Sequence, residues 1–127
     1  MKCPCGANVD YALCCELIIT GNAPAVTPEQ LMRSRYSAYA TKNADYIFNT
    51  YASSSQPIIS QQDILDWANQ TTWLNLNIIA HHSTAEFGSV EFIATYQHAM
   101  QKFELHEISR FIKEHGQWRY LDGEIKS

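Results

Sequence analysis

The chain has 127 residues, the length of one domain whose core is large enough to fold alone. Its formal charge is −4 and its lysine and arginine residues are scattered, which argues against a nucleic-acid binder, because such proteins need a basic patch. A hydrophobic content of 46% excludes a disordered chain, and no apolar run approaches the roughly 20 residues of a membrane span.

All four cysteines of the chain lie within its first fifteen residues, in the pattern C-x-C-x8-C-C. Four thiolates gathered by one tight loop can close a tetrahedral shell around a soft metal, and zinc, at about 2.3 Å per Zn–S bond, fits best. Pro4 stiffens this knuckle and Gly6 permits a positive φ, while Val9–Leu13 predicts a short helical turn that delivers the second pair. We therefore predict a knuckle over residues 1–20. Its predicted zinc ligands are Cys3, Cys5, Cys14 and Cys15.

Two other kinds of cysteine chemistry compete with a metal site. An even cysteine count suits disulfides in a secreted protein, but no apolar signal segment precedes the motif, so we expect a cytoplasmic protein with reduced thiols. Redox chemistry at the adjacent Cys14 and Cys15 is the second alternative, although a bond between adjacent cysteines closes only a strained ring. The metal site is the favoured interpretation.

Three segments behind the knuckle have the apolar spacing of helices. Residues 21–27 carry glycine and proline turn signals and predict a linker. The first helix should begin with Pro28, with Gln30 placed to complete a capping box, and should run to about Lys42. The first and third helices are preceded by residues that favour helix N-termini, and these predicted N-caps are Thr27 and Ser60. The second predicted helix begins at Asn43.

The apolar period changes from helical to alternating at Trp73, which predicts four strands in the second half of the chain. Gly88 and the His115–Gly116 pair predict turns between them. Helices followed by an antiparallel meander make an α+β pattern, and a curved sheet around three helices would leave a cone-shaped pocket. The predicted strands cover residues 73–80, 89–100, 102–114 and 117–121.

Motifs along nearly the whole chain resemble those of the YchJ family of small bacterial proteins. They are CPCG followed by CC, LMRSRYSAYA in the first helix, ADYI, VEFIATY, HEISRF and GQWRYLDG. The knuckle resembles the SEC-C motif, which implies zinc binding. The resemblance also implies a nuclear transport factor 2-like (NTF2-like) fold for the body, residues 28–127.

A polar pocket is predicted between the first helix and the sheet. Arg35 falls on the apolar stripe of the helix, where a charged side chain needs a partner, and Glu107 falls on the inward face of the third strand. A buried pair of this kind is more often structural, although a glutamate and a histidine could also serve acid–base chemistry. The predicted pocket residues are Arg35, Tyr36, Tyr96, His98 and Glu107.

Two functions from different classes follow from these features. The first is an interaction protein, in which a structural zinc folds an apolar surface near Tyr11, Leu13 and Leu17 for a protein partner. The alternative is a cavity that binds a small molecule or acts as an enzyme. We predict no catalytic residues, because the sequence has no nucleophile elbow, phosphate-binding glycine loop or dinucleotide fingerprint. The specific cysteine pattern favours the first function.

Overall fold

The computed structural model describes residues 1–126, apart from the side chain of Pro57. Short 3-10 turns cover Tyr11–Leu13 and Gln56–Ile58. The helices are α1 (Cys15–Ile19), α2 (Pro28–Ala40), α3 (Ala44–Asn49) and α4 (Gln61–Gln70). The strands are β1 (Thr71–Ser83), β2 (Phe87–His98), β3 (Gln101–Glu114) and β4 (Gln117–Ile125), which form one antiparallel sheet in the order β1-β2-β3-β4. The predicted α+β architecture is confirmed.

The predicted helix N-caps are present. The Thr27 side chain accepts a hydrogen bond from the Gln30 backbone N–H at 3.1 Å, while the Gln30 side chain accepts one from the Val26 N–H at 2.9 Å. The box therefore reaches one residue further back than predicted. Asn43 and Ser60 cap α3 and α4 in the same way, at 3.3 and 3.1 Å. These bonds satisfy N–H groups that a helix leaves unpaired, which fixes where each helix begins.

Helix α2 is the centre of the fold, because its two sides belong to two different hydrophobic clusters. Leu31, Met32 and Tyr36 pack against residues of the sheet, among them Phe92 and Phe111. The opposite side of α2 packs against α3, which in turn packs against α4. Shifts of register in β1 and β4 mark bulges, which bend strands and increase the twist of a sheet. Within residues 1–126, no helix is long and apolar enough to cross a membrane.

Gly88 lies inside β2 and not in a turn, which corrects the sequence-based expectation. The reversal between β1 and β2 lies at residues 84–86, and Gly88 pairs with Ser83 on one side and Phe111 on the other. A Cβ atom built on Gly88 would lie 2.3 Å from Cγ of Pro28. Glycine is therefore needed because the first turn of α2 lies directly on the backbone of β2.

Gly88→Ala is expected to lower the free energy of unfolding by about 1 to 3 kcal/mol, because the added methyl group forces the start of α2 away from the sheet. Urea unfolding should show a lower midpoint with an unchanged slope. Ser89→Ala, at the next position of the strand, is the control and should change stability by less than about 0.5 kcal/mol. An unchanged midpoint for Gly88→Ala would contradict the close contact.

Candidate metal centre and interior cavity

The four cysteine side chains converge on one point. Their Sγ atoms all lie within 4.8 Å of one another, and those of Cys5 and Cys14 are 3.8 Å apart. A tetrahedron with bonds of about 2.3 Å to four sulfurs has edges of about 3.8 Å, so the spacing suits such a shell. All four thiols are free of disulfide bonds, and only Cys14 is not fully buried. The donors, their number and their separation fit a soft metal ion.

The first pair of cysteines is presented by a tight hairpin. Lys2 and Asp10 form an antiparallel bridge, and the Cys3 N–H donates to the Val9 carbonyl at 2.8 Å. Gly6, with φ of 84°, turns the chain behind Cys5 in the left-handed region that glycine adopts without strain. The hairpin therefore directs both thiols to one side.

The second pair is presented by two short helical segments. The 3-10 turn Tyr11–Leu13 lies within the predicted helical turn, and the Cys14 N–H closes it by donating to the Tyr11 carbonyl at 3.0 Å. Cys15 is then the first residue of α1, a helix that the sequence-based reasoning missed. A short amphipathic run after the second cysteine pair is the signal that could have revealed it.

The thiols differ in proton affinity because they share hydrogen bonds in a buried cluster. A hydrogen bond from Cys15 lowers the pKa of the Cys5 thiol to about 5, with the backbone N–H of Ala7 contributing in the same direction. The same contact with Cys5 raises the pKa of Cys15, and burial raises the pKa of Cys14 to about 11. Coordination of all four as thiolates must therefore release protons.

The knuckle packs directly on α2. Ser37, fully buried on α2, places its hydroxyl 3.5 Å from Cys3 Sγ. Arg33 donates from Nη1 to the Cys5 carbonyl at 2.8 Å and forms an ion pair with Glu29 at 2.9 Å. The cysteine cluster and the body are thus joined by specific polar contacts.

Ser37→Ala is expected to weaken metal binding about 10- to 100-fold, the usual effect of losing a partner that hydrogen-bonds to a ligand. Competition with a chromophoric chelator measures the affinity. Ser34→Ala is a matched control, since Ser34 is also fully buried on α2 but bonds to the Leu31 carbonyl and the Tyr46 hydroxyl. Equal affinities for the two variants would show that Ser37 does not support the site.

A second feature is a cavity of about 200 Å³ between α2 and the sheet. Three of the predicted pocket residues, Arg35, Tyr36 and Glu107, line it, whereas Tyr96 and His98 do not. His98 instead stacks on Trp67 with the ring centres 4.9 Å apart, and Tyr96 packs against the same ring at 5.6 Å. Most of the lining is aromatic. The principal aromatic residues are Tyr36, Tyr39, Tyr51, Trp67, Trp73 and Tyr120.

Arg35 and Glu107 face this cavity without forming the predicted ion pair. The Arg35 guanidinium donates from Nη1 to the Ile47 carbonyl at 2.8 Å and to the Thr50 hydroxyl at 2.6 Å. Its central carbon lies 4.7 Å from the ring centre of Tyr120, whose hydroxyl donates to Glu107 at 2.9 Å. Tyr120 therefore lies between the two charges and contacts both.

Tyr120 and Trp73 are cavity residues that the sequence-based reasoning missed. Burial raises the pKa of Tyr120, and the neighbouring Glu107 carboxylate raises it further, so the phenol stays protonated and can donate. Trp73 Nε1 is buried and has no hydrogen-bond partner among residues 1–126. The parity that Tyr120 shares with the buried Trp118 is the signal that could have found it. A bulge between Trp73 and Asn75 breaks the alternation of β1, so parity does not reveal Trp73.

Comparison with known proteins agrees with this architecture. Residues 27–123 match the YchJ middle NTF2-like domain. A SEC-C motif containing protein from Rhodopseudomonas palustris, known from a solution structure, is 33% identical over 100% of both chains, with a TM-score of 0.92. The crystal structure of another SEC-C motif containing protein, from Psychrobacter arcticus, is 28% identical, with a TM-score of 0.86, over 100% of this chain and 84% of that one.

A more distant likeness shows the fold alone. It is to a candidate Ca/calmodulin-dependent kinase II association domain from Exiguobacterium sibiricum, 11% identical with a TM-score of 0.59, over 77% of this chain and 88% of that one. The domain match and the full-length neighbours confirm the resemblance found in the sequence. The chain belongs to the YchJ family and carries its NTF2-like domain.

Proposed function

We propose that the four cysteines bind one structural zinc ion and that the folded knuckle presents an apolar surface to a protein partner. The observation that carries the proposal is the convergence of four thiols with a 3.8 Å separation between Cys5 and Cys14. Four thiolates fill a tetrahedral shell and leave no open position for water, which a catalytic zinc requires. The metal would therefore supply folding energy and not chemistry.

The proposed partner surface consists of Leu13 and Leu17, which we call the knuckle patch. Leu13 is 68% exposed and Leu17 is 36% exposed, although both are large apolar side chains. They lie four residues apart on either side of the ligand Cys14, Leu13 at the end of the 3-10 turn and Leu17 in α1. Tyr11, by contrast, is half-buried and packs against the cysteine cluster, so it is not part of the patch.

The knuckle patch depends on the metal, because each of its residues lies within three positions of a cysteine ligand. A segment this short buries little apolar surface of its own, so the metal must hold it in place. Exposed apolar side chains that are already fixed in position suit the core of a protein interface, because they lose little further conformational entropy when a partner binds. A protein partner with a small apolar surface is the binding class that fits.

Affinity capture with the full-length chain tests the proposal. The Leu13→Asp, Leu17→Asp double variant should keep its zinc and lose a partner that the wild-type chain enriches. Ile58→Asp is the control, since Ile58 is 84% exposed but lies outside the knuckle. The control should still capture the partner. Direct titration of the purified partner should give similar affinities for the wild-type chain and the control, and a much weaker affinity for the double variant. Capture of the same proteins by all three chains would overturn the proposed surface.

A further inference from the structure

We infer that the cavity between α2 and the sheet binds a small organic acid with a flat apolar body, whose carboxylate is held by Arg35 and the indole N–H of Trp73. This site is separate from the cysteine cluster and does not rest on the proposed zinc or partner. Four properties of the cavity lead to this class of ligand: a cation without a counter-ion, an unused donor, aromatic walls and a small volume.

Arg35 is a buried cation that lacks a counter-ion. The residue is 4% exposed, and no carboxylate of residues 1–126 lies within 4.0 Å of its guanidinium. Nη1 donates both of the hydrogen bonds that Arg35 makes within that part of the chain, so Nε and Nη2 can donate to a ligand. Buried charges are normally paired, and a guanidinium fork matches a carboxylate in geometry. The missing partner is thus an anion.

Trp73, another residue that lines this cavity, carries a second unused donor. Its Nε1 is buried and unpartnered among the described residues, and leaving such a group unsatisfied is unfavourable. Most buried polar groups find a partner in the protein or in a bound molecule. An acceptor atom of a ligand would satisfy this donor. Because Arg35 and Trp73 line one cavity of about 200 Å³, a single small ligand can reach both.

The walls and size of the cavity define the rest of the ligand. Tyr36 packs edge-on and Tyr39 packs tilted against Trp73, with ring centres 5.6 and 5.7 Å from that of Trp73, and these rings line the cavity. A volume of about 200 Å³ lies below the roughly 300 to 1,000 Å³ of pockets for drug-sized molecules. Glu107, held by Ser109 and Tyr120, disfavours a second negative charge. A flat monoanion meets all of these conditions.

Benzoate is a suitable probe, and the indole N–H resonances of isotope-labelled protein report its binding. The chain has three tryptophans, whose signals Trp→Phe variants assign. Benzoate should shift the Trp73 signal in a saturable way and leave the Trp118 signal in place, since Trp118 Nε1 already donates to the Val26 carbonyl at 3.4 Å. Benzyl alcohol, which lacks the charge, and benzylamine, which reverses it, should bind more weakly.

Three variants separate the contributions of Trp73, Glu107 and Arg35 to benzoate binding. Binding to each variant is followed through the indole signal of Trp67. Trp73→Phe should weaken binding roughly 3- to 10-fold, the value of one hydrogen bond. Glu107→Gln should strengthen it several-fold by removing a negative charge. Arg35→Met should abolish it, and the other two variants keep the test decisive if Arg35→Met does not fold. No shift of the Trp73 signal at about 10 mM benzoate, equal binding of benzylamine, or weaker binding by Glu107→Gln would overturn the inference.

Discussion

Cys5→Ser is expected to abolish metal binding and to destabilise the whole chain, not only its first twenty residues. Cys5 is fully buried at the centre of the cluster, so a serine there leaves three thiolates and a shell that cannot close. Structural zinc in short knuckle peptides is bound with about 10 to 16 kcal/mol, which makes metal loss equivalent to unfolding of the knuckle. Because the cluster packs on α2 through Ser37 and Arg33, that helix loses contacts as well.

Metal content and thermal unfolding, measured on the same sample, test this expectation. The variant should contain almost no zinc, and the melting temperature of the body should fall. Ala7→Ser is the control, because Ala7 is exposed in the same loop and its side chain is not a ligand. A Cys5→Ser protein with full metal content would disprove the four-cysteine site. Metal loss with an unchanged melting temperature would disprove the coupling to α2.

Arg35→Met is expected to lower the free energy of unfolding by about 2 to 4 kcal/mol, because it removes charged hydrogen bonds and cation–π contacts from a buried site. The guanidinium lies 4.5 Å from the ring centre of Tyr51 and 4.7 Å from that of Tyr120, and it donates to Thr50 at 2.6 Å. Methionine keeps the apolar stem and the volume but satisfies none of these partners. Urea unfolding measures the difference.

Arg110→Met is the matched control for this prediction. Arg110 also forms a short two-bond contact, with Asp122, but its side chain is 62% exposed and the pair is screened by water. Its replacement should cost much less stability than that of Arg35, because ion pairs in water add little to folding. Equal losses at the two arginines would mean that the contacts of Arg35 in the interior add nothing to stability.

The features that the sequence predicted are those that depend on neighbouring residues. The cysteine spacing, the caps at Thr27 and Ser60, and the alternation of the strands are local patterns, and local geometry decides them. Strand parity correctly placed Glu107 toward the interior. Parity gives a direction without a distance, however, so it could not show that Tyr120 lies between Glu107 and Arg35.

The features that the sequence did not reveal depend on contacts between distant parts of the chain. Glycine is a residue type typical of turns, but Gly88 lies in β2. Glycine is required at this position because Pro28, which is far away in sequence, lies too close for a Cβ atom. The knuckle packs on α2 through Ser37 and Arg33. The apolar pattern of the helix says which residues face the core, but it does not say which polar residues contact the knuckle. Tertiary contacts of this kind override local propensity.

Elemental analysis of the full-length chain, purified without added metal, is the most direct test of the central claim that the four cysteines form a structural zinc site. The account predicts one zinc per chain, with thiols that react with a disulfide reagent only after a chelator removes the metal. Cys3, Cys5, Cys14 and Cys15 should then account for all of the thiols released. A metal-free chain whose cysteines are paired in disulfides, or one that contains a different metal, would contradict it.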